Sequence, residues 1–205
     1  MDTELLKQLI AEAEQGKPEL TPELVNFEGG LSSPKVRRLL NALCSQPDAR
    51  YLEIGIHTGS TFIPAVYGNT AQATCIDNWK MYEGAYDQFM RNKRALLKGR
   101  KVKVINQDCF TLDVATLPQD INVYFYDGDH GREAQRQAIF RYAPVLADRC
   151  VILIDDANWE EPREETKKVI SDLGWKVLYE VLLPGDYNGS AAGWWNGLLV
   201  ELIEK

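Results

Sequence analysis

Apolar positions near the start of the chain fall at Leu5, Leu6, Leu9, Ile10 and Ala13. That is the three-to-four spacing of one helical face, and it predicts a helix over residues 2–15. Gly16, Pro18 and Pro22 end it and open a loop. Ser33 is placed to cap a second helix, with Pro34 in its first turn. That helix runs to about Ser45 and buries Val36, Leu39, Leu40 and Leu43. Pro47-Asp48 then turns the chain, and the period of the pattern changes. Short apolar runs at residues 51–54, 73–76, 102–105, 121–126 and 150–154 read as strands. The fourth and fifth are continuously apolar enough to be central. Between them lie helical stretches: one to about Tyr67 with Pro64 early in it, one marked by Tyr82, Tyr86, Phe89, Met90, Leu96 and Leu97, and one over residues 132–142.

The last helix begins near Pro162 and stops at Gly174, a glycine suited to a helix C-terminus. Residues 175–183 and 194–203 then read as two strands with no helix between them. The connection, residues 184–193, is rich in Gly, Asn, Ser and Asp, so this pair is expected to be antiparallel. The chain therefore predicts an α/β fold whose parallel sheet ends in an antiparallel hairpin. A dinucleotide-binding domain would continue with a sixth βα unit instead.

Composition narrows the class without changing this outline. The 205 residues suffice for one ordinary domain, and 45% hydrophobic content excludes a disordered chain. No apolar run spans a bilayer, and the acidic start Met1-Asp2-Thr3-Glu4 is unlike a signal peptide, so the reading is cytoplasmic and without a membrane partner. Cys44, Cys75, Cys109 and Cys150 form no C-x-x-C pair and read as buried free thiols. A net charge of −7 argues against nucleic acid as a general partner. Residues 91–103 are an exception, with seven bases (Arg91, Lys93, Arg94, Lys98, Arg100, Lys101, Lys103) and no acid. Such a run is a solvated helix face or a site for a phosphorylated substrate or RNA.

Candidate chemistry gathers at the strand ends. The first strand leads into Glu53-Ile54-Gly55-Ile56-His57-Thr58-Gly59-Ser60. Glycines here let a backbone approach a ligand closely, and the next helix turns free N–H groups towards it. His57 stands where the dinucleotide fingerprint has its second glycine, which disfavours a pyrophosphate. A plain structural turn also accounts for the motif alone. Asp77, after the second strand, can accept ribose hydroxyls or cap a turn. Asp108, after the third, can receive an adenine amino group or serve as an N-cap. The fourth and fifth strands end in Tyr126-Asp127-Gly128-Asp129-His130 and Ile154-Asp155-Asp156-Ala157-Asn158. If these strands are neighbours, the carboxylates crowd together, and either a divalent cation such as Mg²⁺ or helix capping must offset their charge. His130 is a candidate base near neutral pH.

Taken in order, E-x-G-x-x-x-G-S, I-D-N-W, Y-D-G-D-H and I-D-D-A-N resemble class I S-adenosylmethionine-dependent methyltransferases over about residues 34–205, leaving 1–33 as an N-terminal helical extension. Within that class the chain is most similar to small bacterial D-G-D-H enzymes and to cation-dependent catechol-type O-methyltransferases. The resemblance implies a Rossmann-like seven-stranded sheet of order 3-2-1-4-5-7-6, with strand 7 antiparallel and helices on both faces. It implies S-adenosyl-L-methionine as cofactor. Glu53, Gly55, His57, Gly59 and Ser60 would shape the methionine part of the pocket. Asp77 would hold the ribose, with Asn78 and Trp79 beside it, and Gln107 or Asp108 would meet the adenine. Asp127 would adjoin the cofactor and, with Asp155 and Asp156, match the metal-ligand positions. His130 would act with Asp127 in catalysis. The acceptor would be a small-molecule hydroxyl, its pocket walled by aromatics among Trp79, Tyr82, Tyr86, Trp159, Trp194 and Trp195. The N-terminal helices could cover the pocket or build a homodimer. Competing readings are a glycosyltransferase using Asp127-Gly128-Asp129 as a D-x-D motif, a nicotinamide dehydrogenase, and a non-catalytic interaction module.

Overall fold

The computed structural model describes residues 1–186, 189–190 and 192–205. Helix α1 (Thr3–Glu14) starts where the Asp2 carboxylate accepts the Leu5 N–H at 2.8 Å, and it buries Leu6, Leu9, Ile10 and Ala13. Ser33 caps α3 (Pro34–Cys44) by accepting the Val36 N–H at 3.4 Å. Between them lies a short helix, α2 (Pro22–Val25), where the sequence reads as loop. Its apolar content is one buried residue, Leu24, too little to produce a period.

Seven strands form one sheet: β1 (Arg50–Ile54), β2 (Gln72–Asp77), β3 (Lys103–Asn106), β4 (Ile121–Tyr126), β5 (Leu146–Ile154), β6 (Lys176–Leu183) and β7 (Leu198–Glu204). Their order is β3-β2-β1-β4-β5-β7-β6. The first five are mutually parallel, and β7 runs antiparallel to both β5 and β6. This is the expected order and sense. Strand side chains alternate between two cores, as the two-residue period requires. Val123 and Phe125 of β4 join α1, α3, α4 (Phe62–Val66) and α5 (Ala85–Leu97) on one face. Tyr124 and Tyr126 join α6 (Arg132–Phe140) and α7 (Glu160–Asp172) on the other. Each buried aliphatic or aromatic side chain contributes about 2 kcal/mol of transfer free energy, so β1, β4 and β5 anchor the domain.

Several boundaries differ from the sequence pattern, each for a local reason. β5 begins at Leu146 rather than Cys150, because β4 and β7 extend the pairing to Leu146 and Arg149 whatever the polarity of Asp148 and Arg149. β7 begins at Leu198 rather than Trp194, because Trp195 (φ 57°) and Gly197 (φ 92°) form a turn first. α7 starts at Glu160, two residues before Pro162, which then sits in its first turn. Tyr82 lies before α5, exposed, not on its buried face. Gly174, at φ 69°, ends α7 as read. Residues 187, 188 and 191 of the expected hairpin connection lie outside the described residues.

Residues 1–33 share the main core. Leu6, Leu9, Leu24 and Phe27 are buried with Tyr51 and Phe125 of the sheet. Arg37 on α3 is 3% exposed and reaches three segments at once. Its guanidinium donates to the backbone carbonyls of Val25 at 2.6 Å, Ser32 at 2.9 Å and Ser60 at 2.9 Å. The N-terminal segment is thereby tied to the glycine-bearing turn after β1. All four cysteines are free, and no helix among the described residues is long and apolar enough to cross a membrane.

Candidate active site

The carboxyl ends of β1, β2, β4 and β5 carry the site. Gly55 has φ 86°, and a Cβ there would lie 1.8 Å from the Asp127 carbonyl oxygen. The glycine thus lets the β1 turn lie directly on the β4 turn. Its close approach is to the protein's own backbone. His57 also has a left-handed backbone, φ 50°. The turn thus carries a side chain in a conformation that favours glycine, at a strain cost. The His57 ring packs against Tyr82 at 4.7 Å, and burial lowers its pKa against the opposing pull of Asp77. His57 Nδ1 and Thr58 Oγ1 are buried without hydrogen-bond partners. Polar atoms left open in a preformed turn fit a polar ligand there.

Asp77 at the end of β2 holds this turn. One carboxylate oxygen accepts the N–H groups of Ile56 at 2.7 Å and His57 at 2.9 Å, and the other accepts Trp79 N–H at 2.7 Å. Two carboxylate oxygens offer about four acceptor sites, so room remains for a ligand hydroxyl. The Trp79 indole donates to the His57 carbonyl at 2.7 Å, while its ring stacks on Phe89 inside the core. Asn78 caps the next turn through Lys80 N–H at 3.0 Å. Gln107 is exposed beside this end, its N–H bonded to the Asp77 carbonyl at 3.0 Å. The Asp108 carboxylate accepts Phe110 N–H at 2.8 Å, as a turn cap does. Gly59 (φ 90°) is packed against Ile63 and Phe89, and Ser60 is buried with its carbonyl on Arg37. Glu53 lies beneath the turn with no exposed surface.

The neighbouring strands β4 and β5 bring Asp127, Asp155, Asp156 and His130 together, as their shared register requires. Burial, Asp156 and Glu53 all push the Asp127 carboxyl well up, and its side chain hydrogen-bonds that of Asp155. Burial, Asp127 and Asp156 push Asp155 up in turn. Asp156 has φ 53°, and one of its oxygens accepts the Asn196 amide at 2.9 Å. His130 Nε2 lies 3.6 Å from Asp156 and 3.8 Å from Asp127, inside ion-pair range but beyond hydrogen-bond length. Its Nδ1 is buried without a partner. The ring meets Tyr126 and Trp159 edge-on, at 6.0 and 6.3 Å.

The magnesium site expected on Asp127, Asp155 and Asp156 is not assembled here. The donor types suit a hard cation, but among the described residues no three His, Cys, Asp or Glu side chains are grouped to hold a metal ion. Burial pushes the Asp127 and Asp155 carboxyls up, and Asp156 is turned to Asn196 and His130. Asp129 caps its own turn, accepting Gly131 N–H at 2.8 Å, which removes the second acid of a D-x-D pair from the site.

Among the expected aromatics, Trp159 and Tyr82 flank the site and are 45% and 44% exposed. Trp194 is in the core, and Tyr86 packs on Trp79. The basic stretch lies on α5 and edge strand β3, at the far side of the sheet from His130. Sequence reasoning missed Arg37 and Asn196. Both act across long sequence separations, for which a local pattern carries no signal.

Comparison with known proteins bears on this geometry. No curated protein matches the chain. Solved structures of the same fold include a methyltransferase from Geobacter sulfurreducens (15% identity, TM-score 0.64, 97% of this chain and 96% of that one). A precorrin-6y C5,15-methyltransferase from Geobacter metallireducens GS-15 is similar (16% identity, TM-score 0.61, 84% and 87%). So is TYW2 of M. jannaschii in complex with AdoMet (16% identity, TM-score 0.58, 92% and 79%). At these identities they show the fold alone. A family model described as a methyltransferase domain matches residues 52–157, just over half of the chain, from within β1 to past the end of β5. The chain therefore belongs to this methyltransferase domain family, on the sheet of the class I S-adenosylmethionine-dependent enzymes.

Proposed function

We propose that the protein methylates a hydroxyl group of a small-molecule acceptor, with S-adenosyl-L-methionine as donor and His130 as the group that takes the hydroxyl proton. One observation carries this reading: an imidazole nitrogen stands between two carboxylates, Asp127 and Asp156, at the carboxyl edge beside the β1 turn. A hydroxyl is a poor nucleophile until its proton leaves, and an imidazole nitrogen placed at the sheet edge is a group that can accept it. Bound S-adenosylmethionine supplies an electrophilic methyl group on a sulfonium; as the new O–C bond forms, the S–C bond breaks and leaves a neutral thioether. The chain's own contribution is positional. The turn at residues 53–60 and the Asp77 carboxylate face the donor, with Asn78, Trp79, Gln107 and Asp108 around it. Trp159 and Tyr82 provide exposed rings at the rim for the acceptor. AdoMet in the M. jannaschii TYW2 complex supports the donor. The precorrin enzyme, named for a C5,15-methyltransferase activity, shows why the fold cannot select the acceptor atom; the His130 arrangement favours a hydroxyl.

The test is an acceptor screen read by release of S-adenosylhomocysteine. Turnover is expected with small hydroxylated compounds and is expected to vanish with their deoxy or O-methylated analogues. Turnover confined to RNA, or undiminished with the deoxy analogue, would overturn the hydroxyl assignment. Addition of EDTA is expected to leave the rate within about twofold, since among the described residues no three acids are grouped to hold a hard cation.

A further inference from the structure

Glu53 stands at the head of the cofactor turn, where the family resemblance gives it a share in the methionine pocket. Its side chain has no exposed surface, so it offers none to a ligand. Both oxygens are already occupied. One accepts the Tyr51 hydroxyl of the same strand, and the other accepts the hydroxyl of Thr61, the residue that starts α4. Thr61 is itself 2% exposed. The neighbouring Ser60 carbonyl is held by Arg37 at 2.9 Å, so consecutive residues at the far end of the turn are tied down by two buried side chains.

We propose that Glu53 is a positioning residue: it holds Thr61, and with it the far end of the turn at residues 55–61, and does not touch the cofactor. The inference rests on the S-adenosylmethionine reading above. The surroundings favour an uncharged carboxyl. Cys44 of α3, Cys75 and Asp77 of β2 and Asp127 after β4 all act electrostatically with it or are acted on by it, with Arg100 and Lys93 acting on the two cysteines. Among the described residues no base is paired with it, and burial pushes its pKa up to about 8, with the Tyr51 and Thr61 hydrogen bonds opposing and Asp77 adding. A carboxyl raised from about 4.5 in this way contributes stability that is whole below about pH 4.5, falls steadily as pH rises from there, and is fully lost above about 8. Above that pH the ionised group sits beside Asp77 and Asp127 without a counter-charge, and the turn loosens.

Affinity for S-adenosylhomocysteine by calorimetry from pH 6 to 9.5, with thermal melts of the ligand-free proteins over the same range, tests this. Glu53→Gln keeps an uncharged partner for both hydroxyls, its Oε1 accepting from one and its Nε2 donating to the oxygen of the other. It is expected to bind within about threefold of wild type at pH 7, and above pH 8 the wild-type Kd is expected to rise relative to the variant by about tenfold per pH unit. The amino group of the ligand titrates equally for both, so the ratio isolates Glu53. Thr61→Val is expected to weaken binding more than tenfold while leaving kcat at saturating cofactor within about threefold. In the melts, Glu53→Gln is expected to gain on wild type from pH 6 to about 8 and to hold a constant lead above that. Parallel pH profiles in both measurements would overturn the proposal, as would a tenfold loss of affinity in folded Glu53→Gln at pH 7. A wild-type protein that melts normally yet binds no S-adenosylhomocysteine would refute the cofactor reading, and the melts alone would then decide for or against the clamp.

Discussion

Replacement of His130 by alanine is expected to lower kcat by about 10²- to 10⁴-fold, the usual weight of a positioned general base. Affinity for S-adenosylhomocysteine should stay within about threefold, because His130 contacts the acceptor side, between Asp127 and Asp156, and not the β1 turn. The substitution also removes the imidazole that stands between two carboxylates. Asp127 and Asp155 are already pushed towards their neutral forms by burial and by neighbouring acids (Asp156 and Glu53 on the first, Asp127 and Asp156 on the second), so the fold should tolerate the loss. The rising limb of the pH–rate profile that reports loss of a proton from the base should disappear in the variant. A residual rate within tenfold of wild type, with the limb unchanged, would remove His130 from the proton path. His130→Gln, which keeps a polar side chain but no titrating nitrogen, separates proton transfer from simple packing against Trp159 and Tyr126. It is expected to be as slow as His130→Ala.

Gly55→Ala is the second large effect. The new methyl would lie 1.8 Å from the Asp127 carbonyl oxygen, and the obstacle is backbone rather than the far end of a flexible side chain. A left-handed φ of 86° adds about 1–2 kcal/mol for any residue with a Cβ, and forced overpacking adds about 1–3 kcal/mol. The sum, about 2–5 kcal/mol, is a large share of the stability of an ordinary domain. The strain can be relieved only by separating the β1 and β4 turns, which moves Asp127 and the turn together. The expected result is a thermal midpoint lowered by several degrees and S-adenosylhomocysteine binding weakened at least a hundredfold. Gly68→Ala is the matched control. Gly68 also has a positive φ, 72°, but a Cβ there meets nothing within 4 Å, so only the backbone cost of about 1–2 kcal/mol applies and binding should be kept. A Gly55→Ala protein with normal affinity would show that the contact between the two turns is not what shapes the site.

The architecture was legible wherever burial is continuous. β1, β2, β4 and β5 stand out as apolar runs because both faces of those strands are covered. The antiparallel end of the sheet was legible from the missing helix between residues 183 and 194 and the polar residues in its place. Boundaries were less so: the polar start of β5 is paired through its backbone, which leaves no mark in hydropathy. At the site, the acids and His130 could be placed at one sheet edge because strand ends and neighbouring register suffice for that. The directions of their side chains could not. Whether three carboxylates open towards a cation or close on one another depends on contacts such as Asn196 to Asp156, 40 residues apart. Likewise, Gly55 reads as clearance for a ligand, whereas its nearest obstacle is Asp127. Trp79 reads as a pocket wall, whereas its ring fills the core and only its indole N–H serves the turn.

The central claim is that the β1 turn, with Asp77 beside it, is a preformed S-adenosylmethionine site. Titration of the purified 205-residue chain with S-adenosylhomocysteine in a calorimeter tests it most directly. The account predicts one site per chain at micromolar Kd, weakened at least tenfold in Asp77→Ala. No heat of binding from a protein that melts cooperatively would contradict it.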